Sequence, residues 1–452
     1  MLRPYQHQAI SDLRAAYRQG ARAPLLVAPT GMGKTVVFSA ITHGAVERGR
    51  QVLILVHRRE LITQASSKLA GAGVPHGIIA AGFPASDQPV QVASVQSLAR
   101  RMSGMEWSPH LIVIDEAHHA VAGTWLSVLS HWPHAYRLGV TATPVRQDGR
   151  GLGSVFDRLV LGPSVAELIG GAFLTPATIY APPPIADLSG LKTRAGDYRP
   201  EQAAEAMDRP TVTGDAISHY QRLCNQKRAI AFCCSTQHAE SVYTAFNRQG
   251  VPAATLLGTT PPEQRDRVVR QFAAGTIRVL VTVDVVSEGF DCPAAEAAIL
   301  LRPTQSEGLY LQQVGRVLRP ADGKAAAIVL DHVGNVHRHG FPDDHRDWSL
   351  DDRPRRAKGS GDAAPTVRTC EVCFAAFPPQ PICPCCGTPA KLSAREIRQR
   401  EGELQELARE AVARSRRRDQ GQARTLAELL AFAKQRGYSP GWAWKVHNAR
   451  NR

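Results

Sequence analysis

The sequence has no apolar run that approaches the ~18 to 20 residues of a membrane-spanning helix, and MLRPYQHQAI at its start contains no signal-peptide core. It also lacks a collagen-like period, a low-complexity tract and any repeat of about 20 to 50 residues. These absences exclude spanning, fibrous and solenoid proteins. They predict a globular chain that resides in the cytoplasm.

Acidic residues are too few to balance the basic ones. The 452 residues include 54 Lys+Arg against 40 Asp+Glu, which gives a formal charge of +14. Residues 391–452 hold 15 basic and 7 acidic side chains, so this end carries +8 of the total. Such concentrated charge predicts a polyanionic partner, either nucleic acid or an anionic membrane surface.

Short apolar runs alternate with helix-like stretches between residues 24 and 331, which predicts an α/β fold of parallel strands and crossover helices. The runs show little polar alternation, as expected for strands that are covered on both faces. Glycines and prolines interrupt the pattern at 163–176, so we predict two separate sheets. The runs are PLLVA, QVLILV, QVASV, LIVIDE, RLGVTAT, AIAFCC, RVLVTV and AAIVLD.

The composition changes after residue 341, where Pro, Gly and charged residues replace apolar ones. We therefore predict five regions along the chain. They are a first α/β domain over 1–163, a second over 164–341, a linker over 342–366, a cysteine-rich segment over 367–392 and a basic helical tail over 393–452.

A predicted strand, a glycine-rich turn and a predicted helix follow one another in PLLVAPTGMGKTVVFSAI. This is the context of a phosphate-binding loop, in which Gly31 and Gly33 let backbone N–H groups approach phosphate oxygens. Lys34 supplies a positive charge to the β and γ phosphates, and the Thr35 hydroxyl is placed to bind Mg²⁺. Ala28 stands where the strict pattern has its first glycine. The alternative is a chance glycine-rich turn.

The apolar run LIVIDEAH ends in two adjacent carboxylates about 80 residues further on. Asp115 is predicted to hold hydrated Mg²⁺, and Glu116 to orient and deprotonate the attacking water. The alternative is that the pair only caps the next helix.

A second group of polar residues lies about 250 to 290 residues beyond the phosphate loop, in RVLVTVDVVSEGFDCP and YLQQVGRVLRP. Arg316 and Arg319 are three apart, so they share one helix face and can stabilise charge that develops on the γ-phosphate. The alternative is an ordinary solvated helix face. The group consists of Gly289, Asp291, Gln312, Arg316 and Arg319.

Five of the nine cysteines fall within seventeen residues, which fits a metal site better than a disulfide framework. The pattern C-x₂-C-x₉-C-x₂-C predicts a closed tetrahedral Zn²⁺ site with a structural role. Gly387 favours Cys386 over Cys385 as the last ligand, because it can take the turn that follows. Reduced cysteines and an iron–sulfur cluster are the alternatives. The predicted zinc ligands are Cys370, Cys373, Cys383 and Cys386.

Together, these segments resemble the superfamily 2 helicases over residues 1–341. The resemblance implies two RecA-like lobes with ATP between them, followed here by a zinc ribbon and a small helical region. The matching motifs are APTGMGKT (motif I), VHRRELITQ (Ia), VASVQSL (Ib), DEAH (II), TATP (III), SEGFDCP (V) and QQVGRVLRP (VI).

The resemblance also implies roles for individual residues. Arg3 and Gln6 in LRPYQ match the adenine-recognising segment, and Thr141 and Thr143 couple nucleotide state to the strand-binding surface. The implied ATP-binding set is Arg3, Gln6, Thr30, Gly31, Met32, Gly33, Lys34, Thr35, Gly289 and Asp291. The implied catalytic set is Lys34, Asp115, Glu116, Gln312, Arg316 and Arg319. The implied nucleic-acid-binding set is His57, Arg58, Arg59, Ser94, Gln96 and Ser97.

More narrowly, the motif set followed by a cysteine-rich segment resembles the RadD-like bacterial and phage DNA-repair ATPases, although the C-terminal region is shorter. This implies an ATP-dependent DNA helicase or translocase that acts in repair or recombination, with a repair protein as a partner. Two alternatives remain: an ATPase that remodels protein–DNA complexes without separating strands, and a non-catalytic nucleic-acid-binding scaffold. The ribbon either grips DNA or fastens the tail, and the tail either contacts DNA or is a solvated helical face.

Overall fold

The protein is described by a computed structural model. The described residues are 2–146, 148–181, 191–194, 197–207, 210–283, 292–352 and 367–389. The sequence predictions for Gly289, Asp291 and the tail at 393–452 lie outside these residues.

The first lobe is built on a seven-stranded sheet whose neighbouring strands are all parallel. The strand order is β3-β4-β2-β5-β6-β1-β7. These strands are β1 (Pro24–Val27), β2 (Val52–Val56), β3 (Gly77–Ile79), β4 (Val90–Ser94), β5 (Leu111–Asp115), β6 (Tyr136–Thr141) and β7 (Arg158–Leu161).

The continuous apolar sequence of the central strands reflects two cores, one on each face of this sheet. In β2, Leu53 and Leu55 join one core, while Val52, Ile54 and Val56 join the other. Side chains of a strand alternate between faces, and here helices cover both faces, so both sets of positions are apolar. The helices are α1 (Pro4–Arg18), α2 (Lys34–Val46), α3 (Arg59–Gly71), α4 (Val95–Ala99) and α5 (Gly123–His131).

The second lobe has its own sheet of eight strands in the order β12-β13-β11-β14-β15-β8-β17-β16. Its strands from β12 to β8 are parallel, and the last two are antiparallel. A separate two-stranded ribbon pairs β9 with β10. The strands are β8 (Ala177–Tyr180), β9 (Thr193–Arg194), β10 (Asp197–Tyr198), β11 (Ala229–Phe232), β12 (Ala253–Leu256), β13 (Val279–Thr282), β14 (Ala297–Leu300), β15 (Ala327–Asp331), β16 (Arg368–Thr369) and β17 (Ala375–Phe377).

Helix α6 precedes this second sheet along the chain, and further helices connect its strands. A π-helical turn at Tyr220–Cys224 follows α8 directly. The helices are α6 (Val165–Gly170), α7 (Pro200–Met207), α8 (Pro210–His219), α9 (Thr236–Arg248), α10 (Pro262–Ala274), α11 (Glu307–Gly315) and α12 (Asn335–His339).

The cysteine-rich segment is attached to the second lobe as part of its sheet. Strand β17 pairs antiparallel with β8, where Ala375 lies opposite Tyr180. The amide of Ala181 also donates to the carbonyl of Phe374 at 2.9 Å. The ribbon therefore completes the edge of the second sheet.

The predicted linker begins with a packed strap at 342–352, which joins the two lobes. At its start, the Arg346 Nε donates to Glu307 Oε1 at 2.9 Å, at the first residue of α11 in the second lobe. At its end, the carbonyl of Leu350 accepts the amides of Leu152 and Gly153 in the first lobe at 2.8 and 2.9 Å. Trp348 and Leu350 pack against the first lobe's core.

All eight predicted apolar runs form strands, and the predicted α/β architecture with two parallel sheets is confirmed. The sequence prediction did not include the short or peripheral strands β3, β7, β8 and β12, or the buried strand β14. It also did not include β9 and β10 of the separate two-stranded ribbon, or β16 and β17 of the cysteine-rich segment. Within the described ranges, no helix has both the length and the apolar character needed to cross a membrane.

Candidate functional site

The phosphate loop connects β1 to α2 and has the backbone geometry that its glycines allow. Gly31 and Gly33 have φ values of +93° and +87°, which side-chain-bearing residues rarely adopt. Helix α2 begins at Lys34, so its N-terminal amides face the loop. The Lys34 Nζ donates to the carbonyl of Ala28 at 3.1 Å, which holds the side chain back over its own loop.

The two predicted acidic residues lie at the C-terminal end of β5, beside the phosphate loop. Asp115 and Glu116 are buried, and Glu116 has φ +47°, a left-handed conformation that costs a residue with a side chain about 1–3 kcal/mol. The Glu116 Oε2 accepts no hydrogen bond from the described residues and lies 3.5 Å from His118 Nδ1. A buried carboxylate oxygen without a donor fits a role in holding water or a hydrated cation.

Electrostatic interactions connect these groups to the second lobe. Burial lowers the pKa of Lys34, Glu116 and Asp115 oppose that effect, and the positive charges of Arg316 and Arg319 lower the pKa further. Burial, and next the negative charge of Glu116, raise the pKa of Asp115 to about 7. Both arginines line the same cleft as Lys34.

The lobes touch closely at glycines. A Cβ on Gly31 would lie 2.7 Å from Leu174 Cδ2 and 3.6 Å from Arg319 Cγ. A Cβ on Gly315, at the end of α11, would lie 2.7 Å from the Cβ of Thr30. A side chain at Gly315 would therefore force the phosphate loop away from the helix that leads to both arginines, whereas a side chain at Gly31 would displace the end of the Leu174 side chain.

The base end of the cleft is formed by the start of α1. Gln6 is buried and uses both ends of its amide, because Nε2 donates to the carbonyl of Met32 at 3.0 Å and Oε1 accepts the amide of Arg3 at 2.9 Å. The cleft has a volume of about 710 Å³. Predicted residues that line it are Arg3, Gln6, Thr30, Gly31, Met32, Gly33, Lys34, Thr35, Asp115, Glu116, Arg316 and Arg319.

Hydrogen bonds connect His118, which follows the acidic pair by two residues, to the loop after β6. The Nδ1 of His118 lies 3.2 Å from the Thr141 Oγ1, which donates to the carbonyl of Thr143 at 2.8 Å. Thr143 in turn lies against α11, since a Cβ on Gly308 would approach its Oγ1 to 2.8 Å. His119 is half-buried, with its ring centroid 4.5 Å from that of His57.

The predicted strand-binding residues follow β2 and β4, which are adjacent parallel strands, so both groups lie at one edge of the sheet. His57, Arg58 and Arg59 follow β2, and the Arg59 guanidinium carbon lies 5.8 Å from the ring centroid of Phe83. At the end of β4, the Ser94 Oγ accepts the amide of Ser97 at 3.5 Å as a helix cap and donates to Gln96 Oε1 at 3.0 Å.

The four predicted zinc ligands come together, and the fifth cysteine of the cluster does not join them. The Sγ atoms of Cys370, Cys373, Cys383 and Cys386 all lie within 4.8 Å of one another. The Cys385 Sγ instead lies 3.6 Å from the hydroxyl of Tyr180. Four thiols at this spacing fit a tetrahedral ion.

One predicted residue is not at the cleft, and several cleft residues were not predicted. Gln312 is buried within α11 and does not line the cleft. Phe173 and Pro293 line it, as do Thr63, Gln64 and Lys68 of α3, a helix that the sequence assigned to strand binding. Thr63 and Gln64 fall within VHRRELITQ and Pro293 within SEGFDCP, whereas no motif marks Phe173 or Lys68.

The backbone of Arg319 is held by two residues that sequence analysis missed. The Lys324 Nζ donates to the carbonyls of Arg319 and Ala295 at 2.7 and 2.6 Å. The Thr175 Oγ1 donates to the carbonyls of Leu318 and Arg319 at 2.9 and 3.3 Å.

Two α/β lobes with a phosphate loop, an acidic pair and facing arginines at their junction define a nucleotide-hydrolysing motor.

Comparisons with known proteins identify the family. Residues 1–146 match the family described as type III restriction enzyme, res subunit, and residues 215–321 match the helicase conserved C-terminal domain. A 51.5 kDa protein of a Lactococcus phage is 35% identical over 86% of this chain and 83% of its own length. A Saccharomyces cerevisiae protein named as an ATP-dependent helicase, IRC3, is 31% identical over 74% of this chain, which spans only 52% of that protein.

The fold is also shared with solved structures. The ATP-dependent type ISP restriction-modification enzyme LlaBIII, bound to DNA, has a TM-score of 0.54 and 19% identity over 73% of this chain and 27% of its own. The chain belongs to the superfamily 2 helicases, and it is an ATP hydrolase.

Proposed function

We propose that this protein is a DNA-stimulated ATPase that moves along or unwinds DNA. We further propose that it acts in DNA repair or recombination and belongs to the RadD-like ATPases that its motifs resemble. The observation that carries the proposal is the close contact between the phosphate loop and the arginine helix. A Cβ on Gly315 would lie 2.7 Å from the Cβ of Thr30, and Arg316 and Arg319 line the cleft, so nucleotide bound at the loop would also contact the second lobe.

The chemistry follows from the residues around the cleft. Lys34, Arg316 and Arg319 neutralise charge that develops on the γ-phosphate. Glu116, whose Oε2 has no donor among the described residues, orients the attacking water and accepts its proton. Thr35 and Asp115 would hold Mg²⁺, which supplies positive charge to the phosphate oxygens when bound.

We propose that nucleic acid binds across the edge of the sheet where His57, Arg58, Arg59, Ser94, Gln96 and Ser97 lie. Arginine, serine and glutamine donate to phosphate without reading sequence, which suits a motor that moves along any strand. The net charge of +14 favours the same class of ligand. The His119 ring, whose centroid lies 4.5 Å from that of His57, then connects this edge to the segment that follows the acidic pair.

We propose a structural zinc ion bound by the four clustered cysteines. Four thiolates leave no open coordination position, so the ion would not be catalytic. Because β17 belongs to the second sheet, the ion stabilises the attachment of the ribbon to that lobe.

The test of function is steady-state ATP hydrolysis without nucleic acid and with single-stranded DNA, duplex DNA, forked DNA or RNA. We expect DNA to raise turnover, and Lys34→Ala to abolish it because the phosphates lose their main positive charge. A preference for RNA, or no turnover above Lys34→Ala in every condition, would contradict the proposal. A forked duplex with a labelled strand then distinguishes unwinding from translocation or remodelling without strand separation.

A further inference from the structure

Phe173 lies in the segment that connects the two lobes, and it lines the same cleft as the phosphate loop. Its side chain is half-buried. The guanidinium carbon of Arg3 lies 5.2 Å from the ring centroid, and the Tyr5 ring packs edge-on at 4.8 Å. An aromatic ring is therefore fixed at the base end of the ATP site, beside the residues that the sequence assigned to adenine.

The backbone holds Phe173 in this place. Helix α6 ends in a turn in which Ala172 adopts φ +57°. The amides of Phe173 and Leu174 both donate to the carbonyl of Leu168, at 2.8 and 3.0 Å. A turn closed by two such hydrogen bonds limits the positions that the ring can occupy.

The next two residues reach the other parts of the site. Leu174 Cδ2 lies against Gly31 of the phosphate loop, 2.7 Å from where a Cβ would stand. Thr175 is buried, and its amide and hydroxyl both donate to the carbonyl of Leu318, at 2.8 and 2.9 Å. Three consecutive residues therefore touch the base end, the phosphate loop and the backbone next to Arg319.

Gln6 already uses part of its hydrogen-bonding capacity within the protein. Its carbonyl oxygen accepts the Arg3 amide, and one of its two N–H groups donates to Met32. One N–H group and the second lone pair of the oxygen remain for a base. A flat purine can also stack on an aromatic ring, and purines stack more strongly than pyrimidines because their ring surface is larger.

We propose that Phe173 is a specificity-determining residue that stacks on the purine of ATP, and that Thr175 is a positioning residue that passes base occupancy to Arg319. The proposal deepens the ATPase activity and rests on it. The inter-lobe segment thereby links recognition of the base to placement of the charge that stabilises γ-phosphate transfer.

The first experiment measures kcat and KM for ATP, GTP, CTP and UTP in the full chain, with its DNA activator, for the wild type, Phe173→Ala and Phe173→Tyr. Tyr136→Ala is the matched control, because Tyr136 also lies under an arginine, with Arg22 at 4.4 Å, but outside the cleft. We expect Phe173→Ala to raise KM for ATP about tenfold and to reduce the preference for purines over CTP and UTP. Phe173→Tyr and Tyr136→Ala should retain wild-type KM values.

The same increase in KM for all four nucleotides, or no increase, would overturn the stacking assignment. A wild type without hydrolysis would instead contradict the proposed function, so the two failures are distinguishable. Melting temperatures of the variants identify any loss of folding, and Phe173→Leu, which keeps an apolar side chain without a ring, separates loss of stacking from loss of packing.

The second experiment compares Thr175→Val with Thr175→Ser. Valine keeps the shape of threonine and removes the hydroxyl that donates to the carbonyls of Leu318 and Arg319. We expect Thr175→Val to lower kcat about tenfold at an unchanged KM for ATP, and Thr175→Ser to restore it. A change in KM alone, or failure of serine to rescue kcat, would show that Thr175 has no positioning role.

Discussion

Replacing Gly315 by alanine should damage catalysis without weakening the fold. Its Cβ would lie 2.7 Å from the Cβ of Thr30, whereas carbon atoms in good contact are about 3.5–4.0 Å apart. The phosphate loop and α11 must therefore separate by about 1 Å, and a misplacement of about 1 Å can cost about 10²-fold in rate. Alanine also favours a helix over glycine by about 0.5–1 kcal/mol, and the two lobes can separate without disturbing the interior of either lobe.

The assay pairs ATP turnover with thermal unfolding and uses Gly71→Ala as the control. Gly71 is the last residue of α3, as Gly315 is of α11, and a Cβ there would meet nothing within 4 Å. We expect Gly315→Ala to lose about 10²-fold in kcat while its melting temperature stays at or above that of the wild type. Full activity in Gly315→Ala, or an equal loss in Gly71→Ala, would refute the argument from lobe contact.

Three further predictions concern the cysteine cluster and Lys324. Cys383→Ser should lose bound zinc, whereas Cys385→Ser should retain it, because the Cys385 thiol lies outside the four-sulfur group. Elemental analysis of the purified proteins measures the zinc. Equal zinc in both variants would contradict the proposed ligand set. Lys324→Gln should lower kcat with a smaller effect on KM, because the Arg319 carbonyl loses a hydrogen-bond donor. An unchanged kcat would contradict a role for Lys324 in positioning Arg319. Burial lowers the pKa of Lys324 to about 8, so the folded state binds this proton less tightly than the unfolded state does. The free energy of unfolding of the wild type, relative to that of Lys324→Gln, should therefore rise between about pH 8 and pH 10.5. Chemical denaturation across this pH range measures the difference.

The sequence predicted those features that short-range patterns determine. A strand buried on both faces must be apolar throughout, so β1, β2 and β5 were visible as runs. The phosphate loop was visible because its glycines, lysine and threonine must follow one another on the chain. The missed strands β3, β9, β10, β16 and β17 have only two or three residues, which carry too little pattern to be distinguished from loops.

Other features depended on contacts between distant segments. The residues from 163 to 176 looked like an interruption because of their glycines and prolines, yet Phe173 and Thr175 lie at the nucleotide cleft and beside Arg319. The strap at 342–352 looked like a linker because charged residues dominate it. Its packing depends on Trp348, Leu350 and the hydrogen bonds of Arg346. The overall composition of the segment does not reveal the role of these three residues.

The pairing of β17 with β8 has a consequence for synthesis of the chain. Ile179 of β8 and Ala376 of β17 lie opposite each other in the sheet, and Ala376 follows Ile179 by almost 200 residues along the chain. During synthesis, β8 therefore remains unpaired on this side until β17 has been made. At about 5–20 residues per second, the ribosome needs roughly 10–40 s to deliver it. During that time the outer edge of β8 offers unpaired N–H and C=O groups to any other strand, which is the usual route to mispairing and aggregation. The last described strand of the chain therefore protects the first strand of its lobe.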